Sequence, residues 1–476
     1  MASSKSRRKI VIIGAGASGP VMAIFLARRG YDVEVYECRP DLRLQGAAAG
    51  KSVNITLAKR GLLVLDEIGL PQDELMRHSV PLKGRMVHAG NGRLSFQAYG
   101  ENDNEVIHSV LRNDINVLLL NLLEETQPGV KLFFRHRCVG LDRNSGTVTI
   151  RNEATGEEMR IQPDAVIGAD GTFSTVRQQM QKGLRANYSQ SFLTAGYREL
   201  RIPARADGEY KMNPNALHVW PRGELLLLAI PNPDGSFTCT CVLPFERERG
   251  FTTLQTAENV MEFFQTNFAD AIPLIPQLAE EFMKALTAGF ITTSTSMWHY
   301  EDKVVLLGDA VHTVTPFYGQ GMNAAFEDCL VLNQCIGKYE DDWKTAFAEF
   351  QRLRKRHTDA LGELSVTNYY ELCDKVKMPR VALRKQIDFT LHKLFPKRWV
   401  PLYTMISHST MPYADAIDQA RKQERILTFC GVTFLLHLLT ISTRLWLRFN
   451  GKHQQPVQSD HVSVPQRSVV AKEGNL

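Results

Sequence analysis

The eight cysteines form no CxxC pair and no metal-ligand spacing, which excludes zinc-ribbon and thioredoxin-type readings. Cys239 and Cys241 alternate along an apparent strand, and Cys329 and Cys335 fall on a helical pattern. All are expected to be reduced, mostly buried thiols in a cytosol-facing protein, and no metal is expected. The opening MASSKSRRK has no apolar core, so it does not read as a secretory signal. Net charge is only +5 over 476 residues, with Lys and Arg scattered. Composition therefore points to no nucleic-acid partner. There is no internal repeat and no second dinucleotide fingerprint. What remains is an ordinary globular composition, 44% hydrophobic and 22% charged. The chain is long enough for two or more domains.

The first informative stretch is KIVIIGAGASGPVMAIFLARRGYDVEVYE, Lys9 to Glu37. A β-branched run ends in Gly14-Ala-Gly16-Ala-Ser18-Gly19, an apolar helical pattern follows, and a second β run closes on Glu37. Gly14 permits the tight turn, Gly16 lets backbone approach a pyrophosphate, and Gly19 lets the helix lie against the strand. The helix start at Ser18 offers free N–H groups to that pyrophosphate. Glu37, about 20 residues on, suits the adenosine ribose hydroxyls. The N-terminal position favours FAD over NAD, although the motif alone does not separate them.

Two further apolar strands end in glycine and an acid. PDAVIGADGTFSTVR delivers Asp170-Gly171 to a helix start, and KVVLLGDAVHTVTPFYGQGMNAAFED delivers Gly308-Asp309, Pro316 and Gly319-Gln-Gly321 to another. Either dipeptide alone reads as a turn. Their order and strand contexts together favour a flavin, with Asp309 toward the ribitol and phosphate and the second helix start toward the pyrimidine.

Between these motifs, KSVNITLAKRGLLVLDEIGL reads as a strand and an amphipathic helix with Leu62, Leu63, Leu65 and Ile68 on its apolar face. Leu82 to Tyr99 reads as a hairpin turning at Asn91-Gly92, with Arg85 and Tyr99 on its strands. A helix is expected at Asp114 to Glu125, and a strand pair around Val130 to Ile161. Ser191 to Phe245 alternates like a largely antiparallel sheet that roofs a pocket. Helices are expected from Phe251 to Ala288, Trp343 to Cys373 and Arg380 to Arg425. Ile426 to Thr443 has no Asp, Glu, Lys or Arg and is flanked by Arg421, Lys422, Arg425, Arg444 and Arg448. A membrane span and a buried or interfacial helix are about equally compatible with it. From Gly451 the chain is polar and expected to be disordered.

GAGASG, GADGTFSTVR and GDAVHTVTPFYGQGMNAAFED together resemble the single-component flavoprotein aromatic hydroxylases over roughly residues 8 to 370. That resemblance implies tightly held FAD, with NADPH as a transient hydride donor that needs no domain of its own. A narrower resemblance is to the kynurenine 3-monooxygenase family. It is carried by KSVNITLAKRG, Arg85-Met-Val-His88, ALHVWPRGELLLLAIPNPDGSFTCT, DAIPLI, PFYGQGMNAAFEDCLV, Asn368-Tyr-Tyr-Glu371 and PLYTMI. Phrases such as LHVWPR are not demanded by flavin binding.

The resemblance implies that Arg85 and Tyr99 hold the carboxylate of L-kynurenine, assisted by Asn368, while Glu371 and Tyr403 line or support the pocket. Leu217, Leu226, Phe237, Pro316 and Phe317 are expected as apolar walls. On the cofactor side it implies Ser52, Arg112, Met322 and Asn323 beside Gly14, Gly16, Ser18, Gly19, Glu37, Asp170, Asp309, Pro316, Gly319 and Gly321. The implied reaction is hydroxylation of L-kynurenine to 3-hydroxy-L-kynurenine with O2 activated on the flavin. No side chain is expected to move a proton in it. Eukaryotic members would sit on the mitochondrial outer membrane, facing the cytosol, through the C-terminal run. A related hydroxylase of another aminoaryl acid or an indole, or a non-catalytic tethered flavoprotein, remains open at this point. For a non-eukaryotic source a cytoplasmic or membrane-associated location is expected.

The expected fold is α/β. A Rossmann-type FAD-binding domain of the para-hydroxybenzoate-hydroxylase kind occupies 8–80, 106–188 and 293–370. A substrate hairpin at 81–105 joins an antiparallel sheet with helices at 189–292. C-terminal helices follow at 371–425, then the anchor candidate at 426–448 and the tail at 449–476.

Overall fold

Four consecutive β-branched residues, Ile10 to Ile13, are 0–4% exposed. Each such burial contributes roughly 1.5–3 kcal/mol. They make β1 (Lys9–Ile13) the centre of a six-stranded sheet. Its other members are β2 (Asp32–Glu37), β8 (Lys131–Phe134), β12 (Ala165–Gly168), β18 (His299–Tyr300) and β19 (Val304–Leu306). The order is β18-β19-β12-β1-β2-β8, parallel throughout except for the short β18. Parallel neighbours end on one edge. The glycine turn after β1 and the glycine-acid turns after β12 and β19 are therefore brought side by side.

Helices α1 (Ser18–Arg28), α4 (Arg112–Thr126), α5 (Thr175–Gln181) and α8 (Gly321–Tyr339) belong to this layer. Nearly all of α1 is buried, from Gly19 to Leu26, because both α4 and α8 pack on it. The computed structural model describes residues 7–44, 53–100, 102, 105–340, 342–375 and 379–429.

A second, seven-stranded sheet runs β17-β13-β16-β15-β14-β5-β6. Its strands are β5 (Gly84–His88), β6 (Leu94–Ala98), β13 (Tyr188–Ile202), β14 (Ala216–Arg222), β15 (Leu225–Pro231), β16 (Phe237–Pro244) and β17 (Ala288–Thr295). The hairpin β5–β6 turns at Gly92, φ +79°, and joins this sheet through a parallel pairing of β5 with β14. The sheet is thus antiparallel except at that one junction. Its back face packs on α6 (Ala257–Asn267) and α7 (Leu278–Lys284). Its front face packs on Tyr369 of α9 (Trp343–Tyr370) and on Leu372 in the π-helical turn Glu371–Lys375 that follows.

Two three-stranded sheets complete the β structure. One is β3 (Asn54–Leu57), β7 (Ile107–Leu111) and β4 (Ser79–Leu82); the other is β11 (Glu158–Ile161), β10 (Thr147–Asn152) and β9 (His136–Asp142). The expected strand pair at 130–161 is therefore one strand of the parallel sheet plus a separate three-stranded one. In α2 (Lys59–Glu67) the buried face is Arg60, Gly61, Val64 and Leu65, whereas Leu63 is 41% exposed. A polar Arg60 sits inside because Glu327 pairs with it at 2.7 Å.

The expected helix from Phe251 to Ala288 is broken into α6, a 3-10 segment at Ala269–Leu274 containing Pro273, and α7. Proline removes a helix hydrogen bond and interrupts the ladder there. Helices α3 (Gln72–Arg77), α10 (Pro379–Leu394) and α11 (Leu402–Ser407) fill the remaining connections.

Met1–Ala420 is one compact unit and Arg421–Leu476 a second. In the second, residues 421–429 are helical. The charge-free run from 430 onward, and the tail, lie outside the described residues. Among the described residues no helix is long and apolar enough to cross a membrane.

Candidate active site

At the end of β1, Gly14 has φ +106°, and a Cβ there would stand 2.3 Å from the Ala169 carbonyl oxygen. A Cβ on Gly19 would stand 2.0 Å from the Gly14 oxygen. Only hydrogen fits at either position. Gly16 differs, since none of the described residues lies within 4 Å of its missing Cβ. That open slot at the start of α1 is what a pyrophosphate requires. Glu37 accepts from the Ala15 amide at 2.8 Å and from the Arg39 amide at 2.9 Å and Nε at 2.8 Å. Burial pushes its pKa up, but Arg39 and these amides outweigh burial and leave it lowered. Its carboxylate keeps lone pairs for a ribose hydroxyl.

Asp170 is turned into the protein. Ser174 Oγ donates to it at 2.5 Å and the Val176 amide at 3.1 Å. It fixes the start of α5, and Arg177 then donates to the Ala310 carbonyl at 2.7 Å. Asp309 is the opposite case. Its side chain accepts no hydrogen bond from the described residues; burial raises its pKa, and the nearby Arg112 charge opposes that. Ser18 lies beside this turn, with its Oγ 3.0 Å from where a Gly308 Cβ would be.

Gly319, φ +68°, closes the turn before α8, and a Cβ there would meet Thr56 Oγ1 at 2.2 Å. Asn323 donates to the Thr56 oxygen at 2.8 Å and the Gly319 oxygen at 3.0 Å, and accepts from the Ala58 amide at 2.8 Å. Its side chain is thus engaged by protein. What it leaves to a ligand is backbone. The first α8 bond runs from the Ala324 amide to Gln320, so the Gly321, Met322 and Asn323 amides precede it. Pro316 begins the short 3-10 segment Pro316–Tyr318 ahead of this turn. Ser52 lies outside the described residues. An open glycine slot, free helix-start amides and an unengaged Asp309 carboxylate fit FAD.

Above this edge, Arg85 points to the front face of the seven-stranded sheet, as Val87 does, opposite Leu217 in register. Its Nε is buried and has no hydrogen-bond partner among the described residues. The Tyr99 ring centroid lies 6.0 Å from the guanidinium. Tyr99 sits just past the end of β6, and its ring stacks on Tyr403 of α11 at 4.6 Å and 18°. Tyr403 in turn meets Tyr318 at 5.9 Å. Burial raises the pKa of all three phenols, so they remain protonated donors at neutral pH.

Leu217, Leu226 and Phe317 share the front cluster with Phe290 and Tyr369. Asn368 donates to the Phe317 carbonyl at 2.7 Å, so it holds the loop. Glu371 is exposed, and its charge acts on Tyr318. Phe237 is a correction. It belongs to the back cluster with Trp220 and Phe264, one sheet thickness away from Arg85. On β16 the residues 237, 239 and 241 face back and Val242 faces front.

Sequence reading missed Tyr318 and a buried ion cluster. Asp328 on α8 accepts from His312 Nε2 at 2.5 Å, Arg354 Nε at 2.7 Å and the Gly308 amide at 3.2 Å. Burial pushes its pKa up, yet His312 and Arg354 prevail and lower it. The only sequence signal was an acidic pair inside an apolar helix, between Phe326 and Cys329.

The family described as "FAD binding domain" matches residues 7–344. A kynurenine 3-monooxygenase from Salinispora tropica is 44% identical over 441 residues, covering 92% of this chain and 97% of that protein. One from Anopheles gambiae is 36% identical over 421 residues, covering 88% and 86%. Among solved structures, 2-methyl-3-hydroxypyridine-5-carboxylic acid oxygenase aligns with TM-score 0.64 at 22% identity, over 79% of this chain and 95% of that one. PqsL, a probable FAD-dependent monooxygenase from Pseudomonas aeruginosa, aligns with TM-score 0.61 at 20% identity, over 78% and 97%. At such identities these two share the fold.

Proposed function

The chain belongs to the kynurenine 3-monooxygenase family of FAD-binding-domain proteins, and from that premise we propose that it hydroxylates L-kynurenine to 3-hydroxy-L-kynurenine, consuming NADPH and O2. The observation that carries the substrate assignment is the buried, unpartnered Nε of Arg85 beside the Tyr99 ring. A guanidinium nitrogen left unpaired costs about 1–3 kcal/mol or more until a ligand satisfies it. A carboxylate does so with two parallel bonds.

FAD, when bound, supplies the hydride acceptor and the site of oxygen activation. The remaining work falls to side chains. Arg85 and Tyr99 fix the amino-acid end, and Asn368 holds the Phe317 carbonyl so that the phenyl ring keeps its place in the wall. Leu217, Leu226 and Phe317 exclude water from the ring. The aniline nitrogen of kynurenine activates its ortho carbon, so no phenol has to be deprotonated. Tyr99, Tyr318 and Tyr403, protonated at neutral pH and with pKa values raised further by burial, serve the pocket as donors. Gly16, the α8 amides and Asp309 are the groups we assign to the nucleotide and flavin. Glu371 and Tyr403 support the pocket rim.

The charge-free apolar run from Ile426, with basic flanks, supports attachment to a membrane through the C-terminal end. In a eukaryotic source this would be the mitochondrial outer membrane, facing the cytosol.

The test is to purify the flavin-loaded protein and follow NADPH oxidation with and without L-kynurenine, identifying the product by mass. A product heavier by one oxygen atom is expected. Oxidation without any hydroxylated product across a panel of aminoaryl acids would overturn the proposal.

A further inference from the structure

Residues from three separate stretches of the sequence meet in one place, on the back of the seven-stranded sheet. Arg85-Met-Val-His88 brings His88, ALHVWPR brings His218, Trp220 and Arg222, and DAIPLI brings Asp270. His88 Nε2 lies 2.9 Å from His218 Nδ1, and His218 Nε2 lies 2.9 Å from the Asn213 carbonyl. The His88 ring stacks on Trp220 at 3.9 Å and 20°. Trp220 Nε1 donates to Asp270 at 2.8 Å, and His88 Nδ1 stands 3.6 Å from the same carboxylate. Arg222 donates to the His88 carbonyl at 2.7 Å and to the Asn267 carbonyl at 2.8 Å.

The tautomers follow from the partners. A carbonyl only accepts, so His218 Nε2 carries the proton and its Nδ1 is a bare lone pair. His88 Nε2 must then be the donor between the rings, and neutral His88 presents a bare Nδ1 to Asp270. Burial favours neutral rings here and lowers the pKa of both. His88 is the hinge of the arrangement, because it is gripped through its ring on two sides and through its carbonyl.

Its strand needs the grip. β5 is held on one side by a parallel pairing to β14 and on the other only by β6, an edge strand with Leu94, Ser95 and Phe96 exposed. Side chains alternate, so Arg85 faces the front pocket while His88, three residues on, faces this cluster. Two-pronged recognition tolerates displacements of only about 0.5 Å. We propose that His88 is a positioning residue for Arg85, and that the His88–His218–Trp220–Asp270 cluster fixes the strand that presents the arginine to the substrate carboxylate. This rests on the assignment of Arg85 to that carboxylate.

The experiment titrates flavin-loaded protein with L-kynurenine and with kynuramine, its decarboxylated amine, in four forms: wild type, Arg85→Ala, His88→Phe and His88→Gln. Phenylalanine keeps the ring on Trp220 but has no N–H, whereas glutamine restores a donor. His88→Phe is expected to weaken kynurenine about tenfold, the size of one lost buried hydrogen bond. Kynuramine should change less than about twofold, well under a tenfold step. The effect should fall on KM with kcat at saturation kept, and His88→Gln should recover most of it.

Unchanged kynurenine affinity in His88→Phe, or equal loss for both ligands, overturns the proposal. Arg85→Ala separates the two levels. If it does not weaken kynurenine selectively over kynuramine, the Arg85 assignment fails and takes this proposal with it. If it does, and His88→Phe does not, only the His88 role fails. Should His88→Phe not fold with flavin, Asp270→Ala removes the cluster from its solvent-facing end, where the side chain is 38% exposed. It is expected to show the same carboxylate-selective loss, and an unselective loss or none overturns the role.

Discussion

The Tyr99 and Tyr403 rings stack at 4.6 Å, with 18° between their planes. One closes the substrate hairpin and the other opens α11, some 300 residues later. This contact brings the C-terminal helices to the Arg85 pocket and continues through Tyr318 to the Gly319 turn. The Arg85 pocket and the Gly319 turn are thereby connected through packed rings.

Gly14 and Gly16 should fail in different ways. A side chain at Gly14 meets the Ala169 oxygen and needs a disfavoured backbone. Gly14→Ala should therefore destabilise the protein itself, by about 1–3 kcal/mol or more. Gly16→Val has room in the protein but fills the slot assigned to the pyrophosphate. It should fold with a melting temperature near that of flavin-free wild type and purify colourless. A yellow Gly16→Val protein of normal flavin content would remove the slot assignment.

Asp309 offers a complementary case. Its carboxylate accepts no bond from the described protein, so Asp309→Ala should cost little in the flavin-free fold while lowering flavin occupancy or reducibility. The measurements are the flavin-to-protein absorbance ratio and the rate of bleaching by NADPH. Wild-type values in both would dismiss the ribitol-side role.

Acid should weaken the fold through His88. Its pKa is lowered from 6.5 to about 4 by burial first and by the His218 charge second, with Asp270 opposing and Arg222 adding. The unfolded chain therefore binds this proton more readily. The stabilising contribution is complete above pH 6.5 and is lost as pH falls from 6.5 toward 4. One such group gives a slope of at most about 1.4 kcal/mol per pH unit. Urea unfolding of His88→Gln over that window should show a shallower acid dependence than wild type. Equal slopes would contradict a buried neutral imidazole.

Much of this was legible where the physics is local. The fingerprint at Gly14, the Asn91-Gly92 hairpin and the turn at Gly319 each announce a backbone shape that few residues allow. Strand parity was not legible. Both faces of β16 are buried, so Phe237 and Val242 look alike in sequence although one faces helices and the other the pocket. Leu63 was misread for a related reason, because a buried Arg60–Glu327 pair displaced the apolar stripe expected on α2. The Asp328 cluster stayed hidden because its partners His312 and Arg354 come from separate elements.

Membrane attachment can be decided with the full chain. If the run from Ile426 spans a bilayer, alkaline carbonate should leave the protein in the pellet while detergent releases it. A variant with Leu435 and Leu436 both changed to Arg should move to the soluble fraction, since each charge costs about 2.5–3.5 kcal/mol at the centre of a span. Complete release of the unmodified chain by carbonate would rule the span out.

Arg85 is the residue on which the substrate assignment turns. Truncating one partner of a dry, charge-assisted pair commonly costs about 2–5 kcal/mol. Arg85→Ala should then weaken L-kynurenine by tens- to thousands-fold. Flavin content should stay normal, because the glycine turns and Asp309 lie on a different sheet edge. Arg85→Lys should recover only part, since an ammonium keeps the charge but cannot make two parallel bonds. Tyr99→Phe should cost less than Arg85→Ala, as it removes one neutral donor and keeps the stack on Tyr403. Titrating each flavin-loaded variant with L-kynurenine decides the matter. An Arg85→Ala affinity within about twofold of wild type, far below the 1.4 kcal/mol of a tenfold change, would leave the buried Nε without a ligand and the carboxylate without a clamp.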